Sequence, residues 1–134
     1  MAMADQSTYD GRQGHIRAWS TPPIEVFENV YSDREFEVQM TIPEFTCVCP
    51  KTGLPDFGEL HLTYVPDRSC LELKSLKEYM IAYRNQGIFH ENVVNKVLDD
   101  IVAATKPRRA RLEGRFNPRG GIQTTVIREY AVGD

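Results

Sequence analysis

The spacing of apolar residues changes period twice along this chain, and this change constrains the fold more than any other feature. Apolar and polar side chains alternate in residues 36–42 and again in residues 59–65, which is typical of half-buried strands. Residues 50–58 between them hold two prolines and two glycines, so they predict a loop. Residues 70–73 predict a further short extended segment.

The period becomes helical in the middle of the chain. The residues at i, i+3, i+4 and i+7 that form one apolar helix face are Leu76, Tyr79, Met80 and Tyr83. Ser75 is the expected N-cap of this helix, and Gly87 is its expected C-terminal stop. A second helix is predicted over residues 91–104, ahead of Pro107.

Alternation returns in residues 110–116 and 122–126, which are joined by a turn over residues 117–121. The predicted order is therefore strand, strand, helix, helix, strand, strand. Short links favour antiparallel hairpins, so we expect an α+β domain with a four-stranded antiparallel sheet and both helices on one face. The other sheet face then meets either solvent or another subunit.

Composition limits the setting of this domain. Residues 1–20 predict a flexible N-terminal arm, and residues 21–134 predict a single domain. The net charge of -3 gives no support to bulk nucleic-acid binding. No run of about 20 apolar residues predicts a membrane span, and the N-terminus lacks the apolar segment of a secretory signal. Three cysteines, an odd number, argue against a disulfide framework and for a reducing cytosol.

A cysteine and an aspartate lie close together in the Pro- and Gly-rich loop. Cys49 opens the loop directly after a strand, and Asp56 lies seven residues further on. A thiolate is a nucleophile, and a carboxyl group that returns towards it can donate or accept a proton. The alternative is a buried cysteine and an ordinary turn aspartate.

A zinc site is a weaker interpretation of the same region. Its ligands would be Cys47, Cys49, His61 and Cys70, but they lack the usual Cys-x-x-Cys spacing, so we expect no metal. Cys47 and Cys70 are more simply explained as small buried residues.

Two places are candidates for phosphate binding. Lys74 and Lys77 lie three residues apart at a helix start, where free backbone N–H groups also attract anions. Arg119 precedes Gly120 and Gly121, which allow close backbone approach. The alternatives are a solvated lysine pair and an ordinary hairpin turn.

The start of the second helix offers a base-recognition site. Glu91 follows His90, and a carboxylate can accept two hydrogen bonds from a guanine-like edge. The alternative is a helix-initiating glutamate beside a partly exposed histidine.

Taken in order, these segments resemble the 7-cyano-7-deazaguanine reductases of queuosine biosynthesis, from about residue 35 to about residue 122. The resemblance is carried by residues 45–53 and 55–57, by 72–77, by 84–85 and 89–91, and by 116–121. It implies a tunnelling fold, in which the sheets of several subunits join into a barrel with the helices outside. Short members of this family assemble as homo-oligomeric rings, commonly two pentamers face to face, with sites between subunits.

The resemblance also implies residue roles. Cys49 would add to the nitrile carbon as a thioimide, Asp56 would donate the proton, and NADPH would deliver the hydrides that give 7-aminomethyl-7-deazaguanine. Glu91 would hold the guanine-like edge with help from His90 in positioning and proton transfer. The base pocket would be lined by Leu71, Glu72 and Leu73, and NADPH would be held by Lys74, Lys77, Arg119 and Gly120.

One departure and three alternatives remain. Glu78 follows Lys77, where the family usually has a leucine or tyrosine, and it would weaken phosphate attraction unless it faces solvent. An amidinotransferase of the same fold, acting on the nitrile in transfer RNA, would keep Cys49 and Asp56 without NADPH. A relative of GTP cyclohydrolase I would need zinc. A ring-forming purine-binding module would need Glu91 but not Cys49.

Overall fold

Six strands and two helices form the described part of the chain. The computed structural model describes residues 20–133, so the predicted N-terminal arm lies outside the described residues apart from Ser20. The elements are β1 (Val26–Glu28), β2 (Val38–Val48), β3 (Pro55–Val65), β4 (Ser69–Leu71), α1 (Leu73–Ile81) with a 3₁₀ turn (Ala82–Asn85), α2 (His90–Thr105), β5 (Arg109–Arg119) and β6 (Ile122–Ala131).

The main sheet has four antiparallel strands in the order β2-β3-β5-β6. The predicted inward face of β3 is confirmed, since its alternate residues Leu60, Leu62 and Tyr64 are all fully buried. They pack with residues of α1 and α2 in one hydrophobic core. The α+β class, the antiparallel sheet and the two helices on one face are therefore confirmed.

The first hairpin is longer than the sequence predicted. Residues 55–58 were assigned to a loop, but β3 begins at Pro55, which pairs with Val48. A proline is tolerated at the first position of a strand because no ladder donor is needed there. The loop prediction was wrong because proline and glycine were taken as breakers when they mark the strand's start.

A bulge in β2 shifts the inward-facing positions from even-numbered residues before it to odd-numbered residues after it. The register shifts between Ile42 and Phe45, so one extra residue enters the strand. Val38, Met40 and Ile42 are partly buried before the bulge, whereas Phe45 and Cys47 are fully buried after it.

The predicted N-cap of α1 was wrong. Glu72 is the capping residue, since its carboxylate accepts hydrogen bonds from the backbone N–H of Ser75 at 2.7 Å and of Lys74 at 2.8 Å. These bonds lower the pKa of Glu72. Ser75 is instead buried in the first turn, where its Oγ accepts a bond from the N–H of Glu25 at 2.8 Å. A glutamate was overlooked because serine is the commoner cap.

A second, two-stranded sheet was not predicted. β1 pairs antiparallel with β4, and each has only three residues, too few to show a period. None of the helices within residues 20–133 is both long and apolar enough to cross a bilayer.

The closest approach of α2 to the sheet depends on Gly114. A Cβ built there would lie 2.7 Å from Cγ2 of Val94 and 2.9 Å from the ring of Phe116. We therefore expect Gly114→Ala to lower the free energy of unfolding by roughly 1–3 kcal/mol, as overpacked cores do. Urea denaturation measures this change.

An exposed strand residue supplies the control for that measurement. Gln123→Ala on β6 should change the unfolding free energy by less than about 0.5 kcal/mol. Equal stability of Gly114→Ala and the unmodified protein would show that α2 does not need this close approach.

Candidate active site

The hairpin of β2 and β3 places Cys49 beside Asp56. The ladder continues one step past β2, because the N–H of Cys49 donates to the carbonyl of Leu54 at 2.8 Å. Asp56 pairs directly with Cys47, which makes it the diagonal neighbour of Cys49 on one face of the hairpin. Such diagonal neighbours are roughly 7 Å apart. The Asp56 side chain is buried and Cys49 is partly buried.

A short parallel contact brings the start of α2 to the same place. The N–H of Val48 donates to the carbonyl of Gln86 at 3.0 Å, and the N–H of Ile88 donates to the carbonyl of Val48 at 3.1 Å. Residues 86–88 therefore run beside the end of β2, two residues before His90. This contact could not be predicted from periodicity, because it consists of a single bridge between Val48 and Gly87.

His90 completes one side of the Asp56 carboxylate. Its Nε2 lies 3.3 Å from Oδ2 of Asp56, and its ring stacks on the ring of Phe116 at 4.0 Å with an angle of 2° between them. The stacking orients the imidazole towards the carboxylate. Phe116 was placed in an alternating strand and in the segment 116–121 but was assigned no role in the site, so its support of His90 was missed.

Arg119 completes the other side. Its Nη1 lies 3.3 Å from Oδ1 of Asp56 and donates to the carbonyl of Pro55 at 2.7 Å. Each oxygen of the buried carboxylate thus faces a different nitrogen, Nε2 of His90 and Nη1 of Arg119. The sequence predicted Arg119 and Gly120 as phosphate-binding residues, but it did not predict this ion pair.

The three cysteines differ sharply in environment. Cys47 is completely buried, and burial, followed by the charge of Asp56, raises the pKa of its thiol to about 12. Burial also raises the pKa of Cys70. Cys49 is the least buried of the three, so it is the most accessible thiol beside the carboxylate.

The remaining predicted site residues lie at the opposite end of the protomer. The N–H of Leu71 donates to the hydroxyl of Tyr64, and Tyr64 lies eight residues from Asp56 along β3, roughly 26 Å away. Leu73, Lys74 and Lys77 follow on α1 and are exposed. One protomer therefore brings together Cys49, Asp56, His90, Glu91, Arg119 and Gly120, and holds Leu71, Glu72, Leu73, Lys74 and Lys77 elsewhere.

A groove of about 400 Å³ runs between α1 and the bulged part of β2. Its walls are mainly apolar and include Leu76, Met80 and Ile81. The basic residues Lys77 and Arg84 also line it. Such a surface suits a ligand that combines an apolar ring with anionic groups.

The sequence-based zinc hypothesis has no geometric counterpart in residues 20–133. These residues contain no group of three or more histidine, cysteine, aspartate or glutamate side chains close enough to hold a metal. Cys47 lies in the core, whereas His61 contacts Glu59.

Comparison with known proteins yields both family and fold matches. The family model described as QueF-like protein matches residues 55–133. The NADPH-dependent 7-cyano-7-deazaguanine reductase of Chlorobaculum tepidum is 56% identical over 108 residues, which cover 81% of this chain and 92% of that protein. The enzyme of the same name from Nitrosococcus oceani is 57% identical over 107 residues, which cover 80% and 83%.

A solved structure agrees with the fold. The crystal structure of the archaeosine synthase QueF-Like in the apo form matches with a TM-score of 0.66, over 73% of this chain and 95% of that one. The sequence identity is 23%, so this likeness supports the architecture alone.

The cysteine environments predict selective alkylation. In iodoacetamide at pH 8, we expect Cys49 to be modified first, because Cys47 and Cys70 are buried with raised pKa values. Peptide mass spectrometry after short exposures measures the order of labelling. Cys49→Ala is the control and should leave the native protein almost unlabelled. Faster labelling of Cys47 than of Cys49 would contradict the assignment of the nucleophile.

Proposed function

This chain belongs to the QueF-like protein family, among the NADPH-dependent 7-cyano-7-deazaguanine reductases, and on that premise we propose that it reduces the nitrile of 7-cyano-7-deazaguanine to the amine of 7-aminomethyl-7-deazaguanine, a precursor of queuosine. The observation that carries the proposal is the partly buried Cys49 beside an aspartate held by His90 and Arg119. The three cysteines form no disulfide, which fits the cytoplasmic location that we propose.

The arrangement around Asp56 suits the covalent step. Ionised Asp56 accepts the thiol proton of Cys49 while the sulfur attacks the nitrile carbon. The same proton then passes from Asp56 to the nitrile nitrogen, so that the product is a neutral thioimide and the carboxylate is regenerated. His90 orients the carboxylate through its contact with Oδ2 and is well placed to resupply protons.

Two molecules of NADPH, bound one after the other, would supply one hydride each for the conversion of the nitrile to the amine. Cys49 leaves as the carbon–sulfur bond breaks between the two reductions, and the nucleophile is restored. Asp56 and His90 provide protons to the nitrogen during these stages. A protonated carbon–nitrogen double bond accepts hydride far better than a nitrile does, which is the benefit of the covalent route.

Substrate recognition falls to residues at both ends of the protomer. Glu91 is exposed in the first turn of α2, next to His90, where its carboxylate is available to the guanine-like edge. Leu71, Glu72 and Leu73 would line the base pocket. Since Glu72 already caps α1, its contribution to that pocket would depend on the orientation that this cap imposes.

The residues proposed to hold NADPH are Lys74, Lys77, Arg119 and Gly120. The exposed lysines on α1 and the groove beside Lys77 fit a ligand with several phosphates. Arg119 contacts Asp56 through Nη1, so a phosphate would be held by the other N–H donors of its guanidinium.

The separation of the two half-sites supports an oligomer. Residues of the base pocket and of the nucleophile loop lie roughly 26 Å apart along β3, so a complete site requires a second protomer. β2 and β6 are the edge strands of the main sheet, with 11 and 10 residues, and long edges of this kind pair with other chains. We propose a ring closed through these edges and a decamer of two pentamers, acting on the free base without nucleic acid or membrane.

Nitrile-dependent NADPH oxidation tests the reductase proposal. We expect the unmodified protein to oxidise two NADPH per 7-cyano-7-deazaguanine, followed by absorbance, and Cys49→Ala to oxidise none, because the covalent adduct cannot form. Cys70→Ala is the matched control and should retain activity. A covalent adduct on Cys49 without NADPH oxidation would favour an amidinotransferase-like reaction instead.

Mixing two inactive variants tests the shared site. Cys49→Ala and Lys77→Ala protomers should each be inactive or strongly impaired alone. After unfolding and refolding together, we expect activity to reappear, because some sites combine an intact Cys49 from one protomer with an intact Lys77 from another. Activity that stays at the level of the separately refolded variants would show that each site belongs to one chain.

A further inference from the structure

We propose that Arg84 binds the 2′-phosphate of NADPH and is the residue that distinguishes NADPH from NADH. The inference rests on the proposed function, since it concerns the cofactor of that reaction. Arg84 lies in the 3₁₀ turn that follows α1, outside the set of cofactor residues given above.

The first support is the distribution of unpaired positive charge. Most arginines of the described chain are neutralised, as Arg109 is by Glu35 and Arg128 is by Asp99. Within residues 20–133, no carboxylate lies within salt-bridge distance of Lys77 or Arg84. Unneutralised cations that line one groove create a positive potential that attracts anions.

The second support is the shape of the groove. Arg84 and Lys77 line the same cavity of about 400 Å³, and between them lie the apolar side chains of Met80 and Ile81. An adenosine whose ring rests on these apolar side chains would have its phosphates flanked by the two cations. The side chain of Ile81 is 43% exposed in the free protein, and the adenine ring would cover it.

The third support is the order of residues along α1. Lys74 and Lys77 are about 4.5 Å apart along the helix axis, whereas Arg84 lies about 10 Å beyond Lys77. This spacing matches a cofactor with two adjoining phosphates and a third phosphate one ribose away. With the pyrophosphate at the lysines and the 2′-phosphate at Arg84, the nicotinamide end points towards Leu71 and Leu73.

That direction agrees with the proposed base pocket. The family resemblance alone assigns Leu71 and Leu73 to substrate binding, whereas the orientation of NADPH follows from the positions of the cations on α1. The substrate ring and the nicotinamide ring are thus placed, on two independent grounds, at the same place, the N-terminal end of α1. Arginine also suits a terminal phosphate better than lysine does, because its planar guanidinium donates two parallel hydrogen bonds.

The test is the binding of adenosine 2′,5′-bisphosphate and of 5′-AMP, which differ only in the 2′-phosphate, measured by calorimetry on the full-length protein. We expect Arg84→Ala to weaken binding of the bisphosphate by roughly 10- to 100-fold, which is typical of a lost contact to a charged group. Binding of 5′-AMP should stay unchanged. In steady-state assays, the KM for NADPH should rise in parallel while the KM for NADH does not.

Matched variants keep the result interpretable. Arg68→Ala removes an exposed arginine from the turn between β3 and β4 and should leave both affinities unchanged, while Arg84→Lys should retain part of the selectivity. The proposal would be overturned if Arg84→Ala lowered the affinity for both ligands equally, or if it left the affinity for the bisphosphate unchanged. Failure of the unmodified protein to oxidise NADPH with the nitrile would instead overturn the proposed function, while the nucleotide titrations would still decide the role of Arg84.

Discussion

The buried carboxylate of Asp56 is the constraint on which the rest of the site depends. A charge removed from water is costly unless it is paired with good geometry. Asp56 is 6% exposed, and it is paired on both oxygens, by His90 and by Arg119, each at 3.3 Å. Three separate elements, β3, α2 and the β5–β6 hairpin, must therefore meet at this point for the fold to tolerate the charge.

The supporting structure follows from that requirement. His90 reaches Asp56 only because residues 86–88 run beside the end of β2. Its ring keeps its orientation because Phe116 lies flat beneath it. Phe116 in turn packs where Gly114 leaves no side chain. Core packing on β5 thus determines where His90 lies, which couples the stability of the sheet to the geometry around Asp56 and Cys49.

Periodicity was enough to predict the element order, since α2 and the inward face of β3 follow their patterns closely. Periodicity did not predict the bulge before Phe45, where one extra residue reverses which side chains face the core. Residue preferences also did not predict the N-cap of α1, because glutamate is a less common capping residue than serine. The contact between Arg119 and Asp56 depends on strand register. Gly58 pairs with Phe116, and extending that register places Arg119 opposite Pro55, but a slip of one residue would reverse every side chain.

The ion pairs of the chain distinguish Arg119 from the other residues that the sequence assigned to NADPH binding. Arg119 uses Nη1 for both Asp56 and the carbonyl of Pro55, so this nitrogen of the guanidinium is already engaged at the carboxylate. In the proposed mechanism, Arg119 therefore positions Asp56 through this contact. The unpaired cations of α1 and its 3₁₀ turn, Lys77 and Arg84, remain available for the anionic cofactor. Lys77 lies on α1, whereas Arg84 precedes residues 86–88, which run beside the end of β2 next to Cys49. The 2′-phosphate end of the proposed cofactor site therefore lies towards the nucleophile loop of its own protomer. In the proposed oligomer, the nicotinamide end at the start of α1 would meet Cys49 of another protomer.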